Sequence, residues 1–363
     1  MARTSLIDEL LLIAKKNSAS DLIVRTGDRI RMRINGDLVT VPVEKISEPD
    51  RDQTIAMIHH LVRDLPVQPD IEEIQNLDFH YTLPGAAHFR VHILRTHNNF
   101  GIVARLIPQH IPDFTALRLP PIFEQLTGYR NGLILMAGAA GSGKTTSMAA
   151  MLNHMIRHRP VHAVTLEDPV EFRYDNSYRG TVSQRELGTD VASYKQGLID
   201  ALRETPDIIV AGEVRGREEI QLALQAAETG HLVMATVHAT TAIGTMQRIM
   251  GSFPHDEQAG IRERLSENLR AIVVQKLLPM KHGKGRIVVL EIMIRNSVIR
   301  HFILDPSHWS NIVRAMEEGH ALYGSQSFDQ HLTRLVEDDL VSYEQALANA
   351  VHREDFALHF GKA

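Results

Sequence analysis

The chain has 363 residues, 44% of them hydrophobic, which is enough to bury a substantial core and favours two domains over one. A formal net charge of −5 argues against a protein that grips DNA or RNA through a broad basic field. With no cysteine, disulfides, thiolate metal sites and cysteine nucleophiles are excluded, and the composition fits a reducing compartment.

Near the N-terminus Leu6, Ile7, Leu10, Leu11, Ile13 and Ala14 recur at helical spacing. Asp8 and Glu9 precede a run too short for a signal or membrane segment, which leaves an amphipathic helix on a core or, alternatively, on a membrane surface. The chain reads as soluble and cytoplasmic. Residues 20–107 read as short strands: Arg29–Ile34, a hairpin turn at Asn35-Gly36, Leu38–Val41, then Phe79–Leu83, Phe89–Leu94 and Ile102–Ile107, with Phe89, Val91 and Ile93 facing inward. Pro49–Leu65 has helical periodicity, so residues 1–107 form a small α+β domain. Four prolines between Pro108 and Pro121 mark residues 108–121 as a linker.

Residues 122–363 change character, with apolar runs alternating with amphipathic helices, as in a parallel sheet covered on both faces. Four runs matter: Leu133–Ala137, Ala163–Leu166, Ile208–Ala211 and Leu232–Val237. Each ends in a polar or Gly-rich element, the edge at which open α/β sheets bind ligands. From Asp305 the pattern is helical.

Gly138-Ala139-Ala140-Gly141-Ser142-Gly143-Lys144-Thr145 fits G-x-x-x-x-G-K-[ST] between an apolar strand and a helix running from Thr145 to about Arg157. Glycines let backbone N–H groups close around phosphates, and Gly138 to Thr146 are the expected ATP cradle. Lys144 reaches the β and γ phosphates in such a loop, and Thr145 ligates Mg²⁺. Glu213, rather than Asp207, stands at the C-terminal tip of the Ile208 strand and is the candidate to orient metal-bound or attacking water. Glu167, Asp168 and Glu171 crowd three acids into five residues, either because a cation lies near or as a solvated turn, and Glu167 is the candidate general base. His231 and His238 bracket the Leu232 strand; His238 is a candidate γ-phosphate sensor or a cap, and His231 a candidate nucleotide contact or a core residue. Arg90, Arg95 and Arg105 are either solvent-facing charges or arginines offered to a neighbouring subunit's nucleotide.

The P-loop, the Leu166–Phe172 acidic box, Ile208–Arg215 and the Gly230–Thr240 histidine box together resemble the secretion-type ATPases of type IV pilus and type II secretion systems, most closely the PilT/PilU retraction family. The resemblance runs from Ser20-Asp21-Leu22 through Phe89-Arg90-Val91 and Arg105-Leu106-Ile107-Pro108 to Ser327-Phe328-Asp329-Gln330, and is most specific at Leu202–Ile209 and Ala226–His231. It implies a PAS-like N-terminal domain, a RecA-like P-loop ATPase domain, and a homo-hexamer with ATP sites between subunits. It further implies an inner-membrane pilus platform protein as partner, membrane association only through that platform, and a possible paralogous retraction ATPase. The family's C-terminal Ala-Ile-Arg-Asn-Leu-Ile motif appears as Val298-Ile299-Arg300-His301-Phe302-Ile303, and Gly212-Glu213-Val214-Arg215-Gly216 is closer to PilU than to PilT. The expected activity is Mg-dependent ATP hydrolysis powering pilus retraction. A secretion or conjugation motor, a nucleic-acid translocase and a non-catalytic accessory ATP-binding subunit are the alternatives.

Overall fold

The computed structural model describes residues 5–34, 37–41, 48–65, 67–108, 110–283 and 285–361; the Asn35-Gly36 turn lies outside them. The chain divides into two compact units, Met1–His110 and Ile111–Ala363.

The first unit opens with α1 (Leu6–Lys16), where Ser5 Oγ accepts from Asp8 N–H at 3.2 Å. Acids in its first turn and lysines in its last complement the helix dipole. Ile7, Leu10, Leu11 and Ala14 are fully buried, so the stripe read from the sequence faces a core. Six strands, β1 (Asp21–Arg25), β2 (Arg31–Ile34), β3 (Asp37–Thr40), β4 (Asn76–Leu83), β5 (Ala87–Thr96) and β6 (Asn99–Ile107), form an antiparallel sheet in the order β3-β2-β1-β6-β5-β4. Phe89, Val91 and Ile93 of β5 are buried, and α2 (Arg51–Val62) starts on a capping box made by Asp50 and Gln53.

The second unit is a seven-stranded sheet built from β7 (Gly132–Ala137), β8 (His162–Glu167), β9 (Thr181–Glu186), β10 (Ile208–Ala211), β11 (Leu232–Val237), β12 (Leu269–Pro279) and β13 (Arg286–Ile294). The order is β13-β12-β7-β11-β10-β8-β9, all parallel except β13. Successive β7 residues serve opposite faces: Leu133, Leu135 and Ala137 enter one core, while Ile134 and Met136 enter the other. The second core takes α3 (Ile122–Thr127) and α4 (Lys144–His158), whose Met148, Met151, Leu152 and Met155 recur at helical spacing. The first core takes α5 (Tyr194–Ala201), α6 (Arg217–Glu228), α7 (Ala242–Gly251) and α8 (His255–Asn268). Helices continue with α9 (Ser297–Leu304), α10 (Ile312–Glu318), α11 (His320–Tyr323), α12 (Phe328–Glu337), α13 (Tyr343–Asn349) and α14 (Arg353–His359).

Three features differ from the sequence reading. The terminal helices begin at Ser297 rather than Asp305. Within the segment read as a linker, the residues from Ile111 onward belong to the second unit, with Ile111 and Leu119 buried in its clusters. The β12–β13 hairpin and β9 add three strands to the four that the sequence singles out: the apolar runs of β12 and β13 fit a strand or a buried helix equally well, and β9 is polar and carries no apolar run at all. Among the described residues no helix is long and apolar enough to cross a membrane.

Candidate active site

Parallel strands that end at one edge deliver their C-terminal loops to one place. Here β7 releases the chain into Gly138, and the loop turns through Gly138, Gly141 and Gly143 at φ 145°, 74° and 87°, the left-handed region in which a side chain is strained. Contact enforces glycine as well. A Cβ on Gly138 would lie 2.5 Å from the Gln275 carbonyl oxygen, and one on Gly143 would lie 2.7 Å from Gln275 Nε2.

Lys144 opens α4, is 8% exposed, and donates to the carbonyls of Gly138 at 2.8 Å and Ala139 at 2.9 Å. Burial lowers its pKa, against the attraction of Glu213 and Glu171. Ser147 N–H makes the first bond of the helix to Gly143 C=O at 3.0 Å, so the N–H groups from Gly143 to Thr146 precede the ladder and remain for an anion.

Glu167 ends β8, where it accepts from Thr165 Oγ1 at 2.6 Å and Gln184 Nε2 at 3.0 Å. Burial raises its pKa above the ordinary carboxylate value, although both hydrogen bonds favour the charged form. The chain then turns through the cis Asp168-Pro169 peptide toward Glu171. Glu213 lies just beyond β10, accepting from Arg215 Nη2 at 2.6 Å and lying 3.3 Å from His238 Nε2. Burial pushes its pKa up, but Arg215, His238 and Lys144 together outweigh that and hold it below the usual value. Thr236 Oγ1 donates to Gly212 C=O and Gly212 N–H to Leu166 C=O, which locks the ends of β11, β10 and β8 to one another.

These elements enclose a cavity of about 300 Å³ lined by Ala140, Gly141, Lys144 and Thr145 of the loop, Glu167 of the acidic turn, Glu213 and His238. Asp168 and Glu171, grouped with Glu167 in the sequence as acids near a cation or in a solvated turn, also line it, as do Arg215 and Tyr194, to which the sequence reading assigned no role. Arg215 had a legible signal, standing two residues from Glu213; Tyr194 had none. A second cavity, about 470 Å³, lies beside the loop between Gly143, Thr146, Arg118, Met280 and Ile287.

Asp207, passed over in favour of Glu213, sits at the opposite end of β10, where its carboxylate accepts from His162 N–H at 2.8 Å. His231 is also at the far end: it precedes β11, with Nδ1 2.9 Å from Ala226 C=O, and the extended strand sets it roughly 20 Å from His238. The expectation that it contacts nucleotide is therefore not met in this chain, because the two ends of a strand open on opposite edges of the sheet. Arg90, Arg95 and Arg105 lie in the first unit, each paired with an acid of that unit: Asp78 at 3.4 Å, Glu72 at 3.5 Å and Asp21 at 2.8 Å. Arg95 also packs over the Phe100 ring.

Residues 2–337 match the family model "Type II/IV secretion system protein". The type IV pilus retraction ATPase PilT of Pseudomonas aeruginosa is 38% identical over 352 residues, covering 96% of this chain and 99% of that one. The type IV pilus ATPase PilU of the same organism is 34% identical over 353 residues, covering 97% and 90%. A crystal structure of the pilus retraction motor PilT with bound ADP superposes with a TM-score of 0.87 at 31% identity, covering 98% of each chain. With the phosphate loop and the acidic strand ends already gathered around one cavity, the chain belongs to the type II/IV secretion system protein family and is an ATPase of the PilT/PilU type.

Proposed function

We propose that this ATPase is the Mg-dependent motor of type IV pilus retraction, working as a homo-hexamer on the cytoplasmic face of the inner membrane. It pulls on an inner-membrane platform protein and acts beside a paralogous retraction ATPase. The observation that carries the reading is the convergence of loop, acidic turn, Glu213 and His238 on one cavity, joined to the likeness to PilT over nearly the whole chain.

Each residue has a task in that reaction. The loop from Gly138 to Thr146 cradles the phosphates of ATP, which the N–H groups from Gly143 to Thr146 hold, and Lys144 leaves the loop carbonyls to bind the β and γ phosphates. The Thr145 hydroxyl and Glu213 carboxylate line the same cavity and would hold Mg²⁺ as hard-oxygen donors, and the ion would supply charge neutralisation at the phosphates. Glu213, kept ionised by Arg215 and His238, orients water. Glu167, with its raised pKa, accepts the proton of the attacking water, and His238 donates to the γ-phosphate. Arg90, Arg95 and Arg105 are offered to a neighbouring subunit's nucleotide, each leaving its own acid to do so.

Two measurements test this. Purified protein hydrolyses Mg-ATP and Lys144→Ala does not; normal turnover in that variant sinks the mechanism. Deleting the gene gives excess surface pili with lost twitching motility, whereas bald cells would make the protein an assembly motor and unchanged pili an accessory subunit or the motor of another system.

A further inference from the structure

We infer that Gln275 is a positioning residue for the phosphate loop: from β12, behind the loop, its buried amide bridges Ser142 to Ser147 and fixes the direction in which the loop presents its N–H groups. This rests on the reading of Gly138–Thr145 as a phosphate cradle. Gln275 is 2% exposed, in the interior of a strand whose neighbours Val273, Val274 and Leu278 are apolar and buried. A buried primary amide costs stability unless both of its ends are satisfied, and here both are satisfied by the loop and its helix. Its Nε2 donates to Ser142 C=O at 2.7 Å, and its Oε1 accepts from Ser147 Oγ at 2.9 Å.

The geometry has a direct consequence for the anion. In a trans peptide the C=O and the following N–H point in opposite directions. Anchoring Ser142 C=O on Gln275 therefore turns the Gly143 N–H away from β12. Ser147 is the residue whose N–H begins the α4 ladder, so the second arm of the amide ties the helix start to the same strand. The loop lies against β12 at two more points, because it is the Gln275 carbonyl that excludes a side chain at Gly138 and the Gln275 amide that excludes one at Gly143. The amide needs its donor end toward the loop. A carboxylate in its place would set an acceptor against the Ser142 carbonyl and a negative charge behind the phosphates.

The test compares full-length wild type with Gln275→Met, Gln275→Glu and Ser147→Ala, using fluorescent ADP and AMP and a thermal melt. The readout is the preference for ADP over AMP, which isolates the phosphate held deepest in the loop. Gln275→Met lowers that preference at least tenfold, Gln275→Glu lowers it further, and Ser147→Ala, which removes one arm, lowers it about threefold. Equal weakening of ADP and AMP would mean a merely structural role and would overturn the inference, as would an unchanged preference. If Gln275→Met does not fold, Ser147→Ala carries the test, and an unchanged preference there overturns it. A wild type that binds ADP no tighter than AMP, or a Lys144→Ala variant with unaltered ADP affinity, would instead sink the phosphate-cradle reading itself.

Discussion

Replacing Glu213 by glutamine separates its charge from its shape. Glutamine keeps an oxygen for Arg215, now 2.6 Å away, and fills the same space between Arg215 and His238. What disappears is the negative charge that Arg215, His238 and Lys144 sustain by holding the carboxyl below its ordinary pKa against the push of burial. The stability cost is small, because the Arg215 side chain is 69% exposed and a solvent-screened pair contributes less than about 1 kcal/mol. The catalytic cost is large: losing a group that orients water or stabilises transition-state charge lowers kcat by about 10²–10³, or roughly 3–4 kcal/mol of barrier. The assay is steady-state phosphate release at saturating Mg-ATP, with titration of a fluorescent ATP analogue and a thermal melt on the same preparations. The expected result is a kcat about 100- to 1,000-fold lower, ATP affinity within a few-fold of wild type, and a melting temperature nearly unmoved. A kcat within threefold of wild type would refute the assignment, and equal losses of kcat and ATP affinity would make Glu213 a binding group.

Three further predictions follow from the same geometry. Burial raises the pKa of Glu167, and a base works only when deprotonated, so the acid limb of the pH–kcat/KM profile lies above the ordinary carboxylate value of 4.5 and vanishes with most of the activity in Glu167→Gln. Gly143→Ala forces a side chain into φ 87° and against Gln275, a strain of at least about 1–2 kcal/mol, and lowers ADP affinity tenfold or more in an equilibrium titration. Glu291, 4% exposed on β13 and accepting from Ala242 N–H at the start of α7, has its pKa pushed up to about 7 by burial, against that hydrogen bond and Lys276 and with the help of Asp329. Because its folded pKa exceeds the unfolded value of 4.5, Glu291 favours folding only while protonated; that contribution is present below about pH 4.5 and lost as pH rises through about 7. Glu291→Gln, which keeps an acceptor for Ala242, is therefore more stable than wild type at pH 8, by on the order of 3 kcal/mol, and the advantage shrinks by pH 5 in chemical denaturation.

The candidate site residues are legible where they break a pattern. Gly138–Thr145, Glu167, Glu213 and His238 each stand at or just beyond the C-terminal end of a strand, where the apolar run stops and a polar group stands at its tip. Because parallel strands share an edge, four such tips read independently had to converge, and in the fold they line one cavity. His231 stands beside an equally apolar strand, and the pattern alone leaves it either a nucleotide contact or a core residue. Only the end matters, and strand direction, which the sequence does contain, sends it to the wrong edge.

The groups that hold the site in place were not legible, and the reason is physical. Thr236 and Gln275 each lie within an apolar strand, where one polar residue disturbs the pattern too little to register, and Gln184 lies in the polar strand β9, where it does not stand out. Their roles come from the neighbouring strand: Gln184 of β9 reaches Glu167 of β8, Thr236 reaches Gly212 beyond β10, and Gln275 of β12 reaches the loop that follows β7. Which strands are neighbours follows from the order β13-β12-β7-β11-β10-β8-β9, which places β12 beside β7 although more than a hundred residues separate them in the chain. A polar residue in a buried strand must find a partner or cost stability, so each one predicts that something lies beside it without saying what. In this sheet the partner is, in every one of these cases, part of the candidate site.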